Sequence, residues 1–354
     1  MDPRPPEIAT PESHGETPSG LRSPRGALAM LESPRRFTPL RIAVQAIGFL
    51  IGVALLVWCV SLALDKADAE QWERLRRAGF GPAALLLGLT VFTVALNGAA
   101  FWMTLLPLRR LKLIDLIAVN AIATFLAYLP FKLGAMARVL IHRRRDHLPF
   151  REIIAWMAGF SALSLATLLP LVIVGGLRPR IDATTVALGL GGVVAANGLG
   201  VALGRLSERW AWLAALSMGS WRVVRNPGTV GACMLAKLSD IAVHVARFTV
   251  AASVLGIDLS LDRAVLFALA YFLLGVLSPV GMVGIREGGL VIGGAALFAL
   301  DEAARENLAR LVLLVSASEV VAIIPLALAG AAWLRVDRLF FGLRDRSGVS
   351  PPAA

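Results

Sequence analysis

The stretch SPVGMVGIREGGLVIGG, Ser278 to Gly294, decides how the chain must be read. An apolar run enters it from Ala264 to Ser278, meets Pro279, crosses a glycine-rich segment and resumes from Gly288 to Leu300. Pro279 cannot donate a backbone hydrogen bond and ends the first helix, while Gly281 and Gly284 permit backbone angles closed to other residues. Arg286 and Glu287 then open a second half-helix, two charges inside an apolar region. Glu287 gains from the positive helix end; Arg286 either pairs with it, capping a buried helix end, or offers its charge to an anionic headgroup. An upstream stretch, YLPFKLGAMARVL from Tyr128 to Leu140, repeats the plan. The run Leu113 to Leu129 meets Pro130 and resumes only briefly before Arg143, Arg144 and Arg145. This break supplies Pro130, Lys132, Gly134 and Arg138. Lys132 and Arg138 are candidate phosphate ligands at the cytoplasmic entrance, with snorkelling of Arg138 to the cytoplasmic face as the alternative.

A bilayer core about 30 Å thick needs roughly 20 apolar residues of helix. Around the two broken segments, that length predicts full spans at Leu40 to Leu64, Pro82 to Leu106, Ile153 to Gly176, Thr184 to Gly204, Thr229 to Leu255 and Leu308 to Trp333. Composition agrees: 57% of the 354 residues are hydrophobic and 17% charged, against about 45–50% and 25% in ordinary soluble domains. The fold class is therefore an all-α integral membrane protein, six full transmembrane helices plus two re-entrant hairpins. Residues 1–37, rich in Pro, Ser, Thr and Glu, read as a disordered cytoplasmic tail; they hold no apolar stretch of the kind a signal peptide needs. Residues 38–340 form the membrane domain and 341–354 a second cytoplasmic tail.

The net charge of +11 is informative through its placement. If both broken segments enter and leave on one face, 18 Lys and Arg residues collect on one side and eight on the other. The eight share their side with Asp65, Asp68, Glu70, Glu73, Asp258, Asp262, Asp301, Glu302 and Glu306. Cytoplasmic loops carry the Lys and Arg excess, so both termini are expected in the cytoplasm of a bacterial inner membrane. Under this assignment span, hairpin and span occur twice, from Pro82 to Gly176 and, in the opposite orientation, from Thr229 to Trp333. Inverted repeats with interrupted helices are a habit of transporters, because a broken helix is tolerated only where it is buried in protein or lines a cavity.

The span Thr229 to Leu255 carries Lys237, Asp240, His244 and Arg247 at steps of three, four and three, which puts all four on one helix face. A charge facing lipid at the centre costs roughly 2.5–3.5 kcal/mol, so this face meets protein or a hydrated cavity. Either Lys237 pairs with Asp240 while Arg247 reaches outward, or the stripe is a polar track for a headgroup. Glu319, near the middle of the last span beside Ser316 and Ser318, is a partner for Lys237, Arg247 or Arg286. Small residues at Gly192, Ala196, Gly200 and Gly204 make a close-packing helix face. Cys59 and Cys233 lie in apolar runs and the four histidines have no ligand spacing, so neither a disulfide framework, a metal nor another cofactor is expected. No G-x-G-x-x-G, P-loop, G-x-S-x-G or H-E-x-x-H motif occurs, and nothing points to nucleic acid.

FLAYLPFKLGAMARVLIHRRRDHLPFREI, Phe125 to Ile153, and LSPVGMVGIREGGLVIGGAALFAL, Leu277 to Leu300, together resemble the flippase-like membrane domain of the lysylphosphatidylglycerol synthase family, over roughly residues 40 to 340. Pro279, Gly284, Arg286 and Glu287 carry the more specific part. Members usually have an acidic residue directly after the first glycine, where this chain has Ala135. The resemblance implies a lipid flippase with two re-entrant helices from opposite faces. In the full synthase a soluble C-terminal domain transfers an amino acid from aminoacyl-tRNA to phosphatidylglycerol; with about twenty residues after the last span, that enzymatic activity is not expected here. An anionic, a glycosylated and a hopanoid lipid stay open as cargo, as do a homo-oligomer and a lipid-biosynthetic partner. A scaffold subunit that transports nothing is the alternative from another class.

Overall fold

The computed structural model describes residues 39–64, 73, 79–129, 132–210, 212, 219–277, 284–298 and 300–341. Both tails up to residue 38 and from 342 onward, Pro130, Pro279 and Gly281 lie outside them. The chain divides into two compact units, 1–43 and 44–354; of the first, only the opening turn of a helix is described, and everything below concerns the second. The described residues form helices and no strand. In order these are α1 (Pro39–Leu64), α2 (Phe80–Leu105), α3 (Leu113–Ala127), α4 (Leu133–Arg144), α5 (Phe150–Leu177), α6 (Ala183–Leu206), the short α7 (Trp221–Val224), α8 (Pro227–Leu255), α9 (Leu261–Leu277), α10 (Ile285–Phe298), α11 (Glu302–Leu334) and α12 (Val336–Phe341).

Helices α1, α2, α5, α6, α8 and α11 are the six among the described residues that are long and apolar enough to cross a membrane. Leu50, Val57, Val194, Leu199, Val321 and Leu328 are exposed on their outer surfaces, as a hydrocarbon solvent permits. The protein is a multi-pass, all-α membrane protein. Helices α8 and α11 start before their apolar runs because polar caps extend them. Asp301 accepts from the Ala304 amide at 2.8 Å, adding a charged first turn to α11. Asn226 accepts from the Gly228 and Thr229 amides with Pro227 at the first helical position of α8.

Both broken segments are hairpins. At 15 and 12 residues, α3 and α4 are about 22 and 18 Å long, too short to span. Their outer ends are tied by Arg145 and Asp115 at 3.0 Å, and Trp333, at the end of α11, donates to Asp115 at 2.9 Å. The first hairpin therefore opens where α5 begins and α11 ends. In the second, α10 returns alongside α9, with Gly289 against Leu274 and Gly294 against Phe267. Its mouth is fixed at the other end of α5, where the Ile181 amide donates to Asp262 at 2.9 Å. Since α5 has 28 residues, about 42 Å of helix, the mouths lie at opposite ends of the bundle.

The same contacts recur under exchange of the two halves. Helices α2 and α8 run antiparallel and meet where Asn97 donates to Asp240 at 2.8 Å. Helix α11 packs on α3, and α5 packs on α9. In α11, Pro325 is followed five residues later by Gly330, whose missing Cβ would sit 2.9 Å from the Ala118 carbonyl oxygen, on the sixth residue of α3. In α5, Pro170 is followed five residues later by Gly175, whose missing Cβ would sit 2.8 Å from Leu266, on the sixth residue of α9. The inverted repeat is thus built into the side-chain contacts. Helices α1 and α6 flank it. Along α6, only part of the expected small-residue face is in contact: Gly192 meets Pro170 and Gly204 meets the Arg225 backbone, while Gly200 faces open space.

A side chain at position 330 would push on backbone, which cannot yield as a flexible side chain does. Gly330→Val is expected to cost about 1–3 kcal/mol of stability, read as a lowered unfolding temperature in detergent. Gly198→Ala, with nothing within 4 Å of its Cβ position, should leave that temperature unchanged or slightly raised. The opposed hairpins also predict that single cysteines at the exposed positions Arg143 and Arg263 react with an impermeant maleimide from opposite faces. Cys59 and Cys233 are fully buried and should stay silent.

Candidate functional site

The second half-helix of each hairpin starts from a left-handed residue, Lys132 (φ 52°) before α4 and Gly284 (φ 74°) before α10. Glycine is required at 284 for a second reason: a Cβ there would overlap the carbonyl of Gly52 in α1. Three residues on, Glu287 reaches back and accepts from the Gly284 amide at 2.7 Å, the acidic half of a capping box. The equivalent residue of the first hairpin, three after Lys132, is Ala135, which has no such group.

The hairpin tips touch, because Arg286 Nη2 donates to the Tyr128 hydroxyl at 3.1 Å. Arg286 Nη1 donates to Glu319 Oε1 at 3.2 Å, and its guanidinium stacks 4.0 Å from the Tyr271 ring centroid. The other Glu319 oxygen accepts from Arg247 Nη2 and the Tyr271 hydroxyl, both at 3.3 Å. Arg247 also donates to the Val315 carbonyl at 3.0 Å. Ser316 links the tip to this cluster by donating to Glu287 Oε1 at 2.6 Å and meeting the Tyr271 hydroxyl at 2.9 Å. On the α2 side, Asn97 donates to Asp240 and accepts from Lys237, which lies 3.9 Å from Asp240 itself. His244 Nδ1 is 2.9 Å from the Asp240 carbonyl oxygen, one turn away.

A cavity of about 340 Å³ lies between these groups. Its walls come from α2, α3, α4, α5, α8, α9, α10 and α11, every long element of both repeats and neither flanking helix. Lys237, His244, Arg286, Glu319 and Arg138 contribute to it. Its exposed wall residues are Ala135, Ser161 and Val276. Ser161 is near the middle of α5, so the mouth opens sideways at mid-depth rather than at an end of the bundle.

Asp240, Arg247 and Glu287 stand directly behind the wall, and all the charges named so far at the cavity are buried. Two expectations change. Arg247 does not reach outward; Glu319 and the Val315 carbonyl hold it wholly inside. Lys132, the left-handed residue before α4, is exposed and contributes nothing to the cavity wall. Arg138, six residues on, is instead 5% exposed and lines the cavity, where α3 and α4 enclose it before it can reach a surface. Gly134 is a packing residue as well as a wall residue, for a Cβ there would overlap the Ala123 carbonyl oxygen. The residues that sequence reasoning missed are Asn97, Asn120, Tyr128 and Tyr271. Asn97 and Asn120 had a signal, amides within apolar helices; the only two tyrosines of the chain had one too, in their rarity. Among the described residues no group of His, Cys, Asp and Glu gathers to hold a metal ion.

The family described as Lysylphosphatidylglycerol synthase TM region matches residues 46–304, which takes in both hairpins up to the start of α11. No curated protein and no solved structure matches the chain.

Glu319 is the carboxylate shared by two buried guanidiniums. Glu319→Gln leaves Arg286 with Glu287 alone and Arg247 without its carboxylate, and is expected to destabilise by about 3–5 kcal/mol. Tyr128→Phe removes the hydroxyl that accepts from the Arg286 guanidinium, a hydrogen bond to a charged group, and is expected to cost less, about 1.5–3 kcal/mol. Unfolding in detergent of the two variants side by side checks the order.

Proposed function

The chain belongs to the Lysylphosphatidylglycerol synthase TM region family, and from that premise we propose that it moves a lipid headgroup between membrane leaflets through the cavity between the hairpin tips. The observation that carries this reading is the cavity itself: buried, charged, at mid-depth, walled by both repeats and open to the side. A headgroup entering sideways keeps its acyl chains in hydrocarbon while its polar atoms exchange water for the cavity wall, which lowers the barrier that keeps lipids in one leaflet. The inverted repeat supports alternating access, because each half can adopt the arrangement of the other and so present the site to either face. Exchange of the open side requires the tips to move past one another, and Arg286 to Tyr128 is the contact that must break.

Orientation follows from charge. Arg109, Arg110, Lys112, Arg143, Arg144, Arg145 and Arg151 gather at the mouth of the first hairpin, with Arg335 and Arg338 at the end of α11. The other end bears Asp182, Asp258, Asp262, Asp301 and Glu302. The basic end faces the cytoplasm in this reading, as the distribution of Lys and Arg in membrane proteins favours.

The test is leaflet exchange of labelled lipids in liposomes holding the purified protein. Wild type should accelerate exchange of at least one lipid class. Arg286→Ala, which removes a buried cation from the cavity wall, should slow it by about tenfold or more even though it also removes the tip contact. Wild-type liposomes that exchange no lipid class faster than protein-free ones would reject transport and favour a scaffold role.

A further inference from the structure

We infer that the headgroup taken by this cavity is a lipid phosphate with net negative charge and no balancing amine. This rests on reading the cavity as a headgroup site and adds the chemistry that the site selects. The first argument is the pairing of the buried charges. Lys237 is held by Asp240 and Asn97, and Arg247 and Arg286 are held by Glu319 and Glu287. Arg138 is the fourth cation, against those three carboxylates, and among the described residues it has no carboxylate partner. Its Nη2 donates to the neutral Asn120 amide oxygen at 2.9 Å, its guanidinium lies 3.5 Å from the Phe101 ring centroid, and its Nη1 has no partner among the described residues. Each of the three carboxylates has an internal cation within 4 Å, and the one carboxylate oxygen without a hydrogen bond, Asp240 Oδ1, stands behind the wall, so an ammonium headgroup finds no unpaired counter-charge on the wall, whereas an anion finds Arg138.

The internal repeat gives the reason for the imbalance. Each second half-helix starts from a left-handed residue, and the residue three further on is Glu287 in the second hairpin but Ala135 in the first. Ala135 also lies on the exposed rim of the cavity, one helical turn from Arg138. The first hairpin thus brings a guanidinium into the cavity without the carboxylate that its counterpart supplies. A buried cation left this way is costly unless a ligand completes it.

The second argument is independent of charge. Three further wall groups have side-chain atoms without a hydrogen-bond partner among the described residues, the hydroxyls of Thr93 and Ser164 and the Nε of Arg286. Each can donate a proton, as can Arg138 Nη1, so the free capacity of the wall suits a ligand with several acceptor oxygens. A phosphate has them, and guanidinium to phosphate is a strong charge-assisted contact. At about 340 Å³ the cavity falls at the small end of ligand sites, the scale of a headgroup whose chains stay outside.

Binding to the purified full-length protein in detergent tests this apart from transport. Dihexanoyl phosphatidylglycerol, dihexanoyl phosphatidylethanolamine, the lysyl ester of dihexanoyl phosphatidylglycerol and glycerol 3-phosphate are titrated, with thermal stabilisation as readout. Phosphatidylglycerol should bind about tenfold or more tightly than the two amine-bearing lipids. Arg138→Gln and Ala135→Glu should each weaken it by about tenfold, the second by supplying the missing carboxylate at an exposed site that tolerates it. Equal affinity for the three lipids, or unchanged phosphatidylglycerol binding in both variants, overturns the inference. Glycerol 3-phosphate binding as tightly as phosphatidylglycerol also overturns it, making the ligand a soluble phosphate compound. Selective binding without leaflet exchange would reject transport and leave this inference standing; exchange of all lipids without selective binding would do the reverse.

Discussion

Glu319 sits in the middle of α11 with a guanidinium from α8 on one oxygen and a guanidinium from the start of α10 on the other. Removing three charges from water is expensive, and mutual attraction repays that only when the geometry satisfies nearly all of their hydrogen-bonding atoms. Ser316, Tyr271, Tyr128 and the Val315 carbonyl meet much of that demand. The consequence is structural as much as electrostatic: α8, α10, α11 and the tip of the first hairpin must converge on one point. Around it the cavity is left open, since the hairpin helices are too short to fill the depth of the membrane.

The repeat explains why the hairpins are stable although each is a break in a helix. Backbone groups freed at a break must be satisfied by protein. Glu287 does this for the Gly284 amide. Close packing adds to this: Gly330 on Ala118, Gly134 on Ala123 and Gly284 on Gly52 let the chain approach to backbone contact, and Gly175 makes room for the Leu266 side chain. The two halves agree in scaffold but not in charge: of the buried charges at the cavity, Lys237, Asp240, Arg247, Arg286, Glu287 and Glu319 belong to the second half and Arg138 to the first. The asymmetry of an otherwise symmetric frame falls on the cavity.

Helix existence was legible from hydropathy, and the hairpins from Pro and Gly within runs too short to cross once broken. Opposed mouths were legible too, because a misplaced hairpin would have scattered the Lys and Arg residues over both ends. The stripe from Lys237 to Arg247 was visible as a single face at steps of three and four. Its partners were not. Asp240 is bridged by Asn97, 143 residues away, and Glu319 chooses Arg247 and Arg286 over Lys237; pairs at such separations depend on which helices neighbour one another, which no local period encodes. Lys132 and Arg138 looked alike in sequence. One is exposed in the left-handed turn before α4 and the other is buried a turn and a half into that helix, a difference set by where the helix starts.

From the sequence alone came the class, the six spans, the two breaks and the sorting of charge, all properties of composition and order along the chain that the membrane itself enforces. Only the tertiary structure decided which buried charges neutralise each other and that Arg138 stands uncompensated within the cavity. Hydropathy measures the cost of placing a charge in hydrocarbon; whether a counter-charge has been placed beside it is set by helix packing, and that is settled in three dimensions.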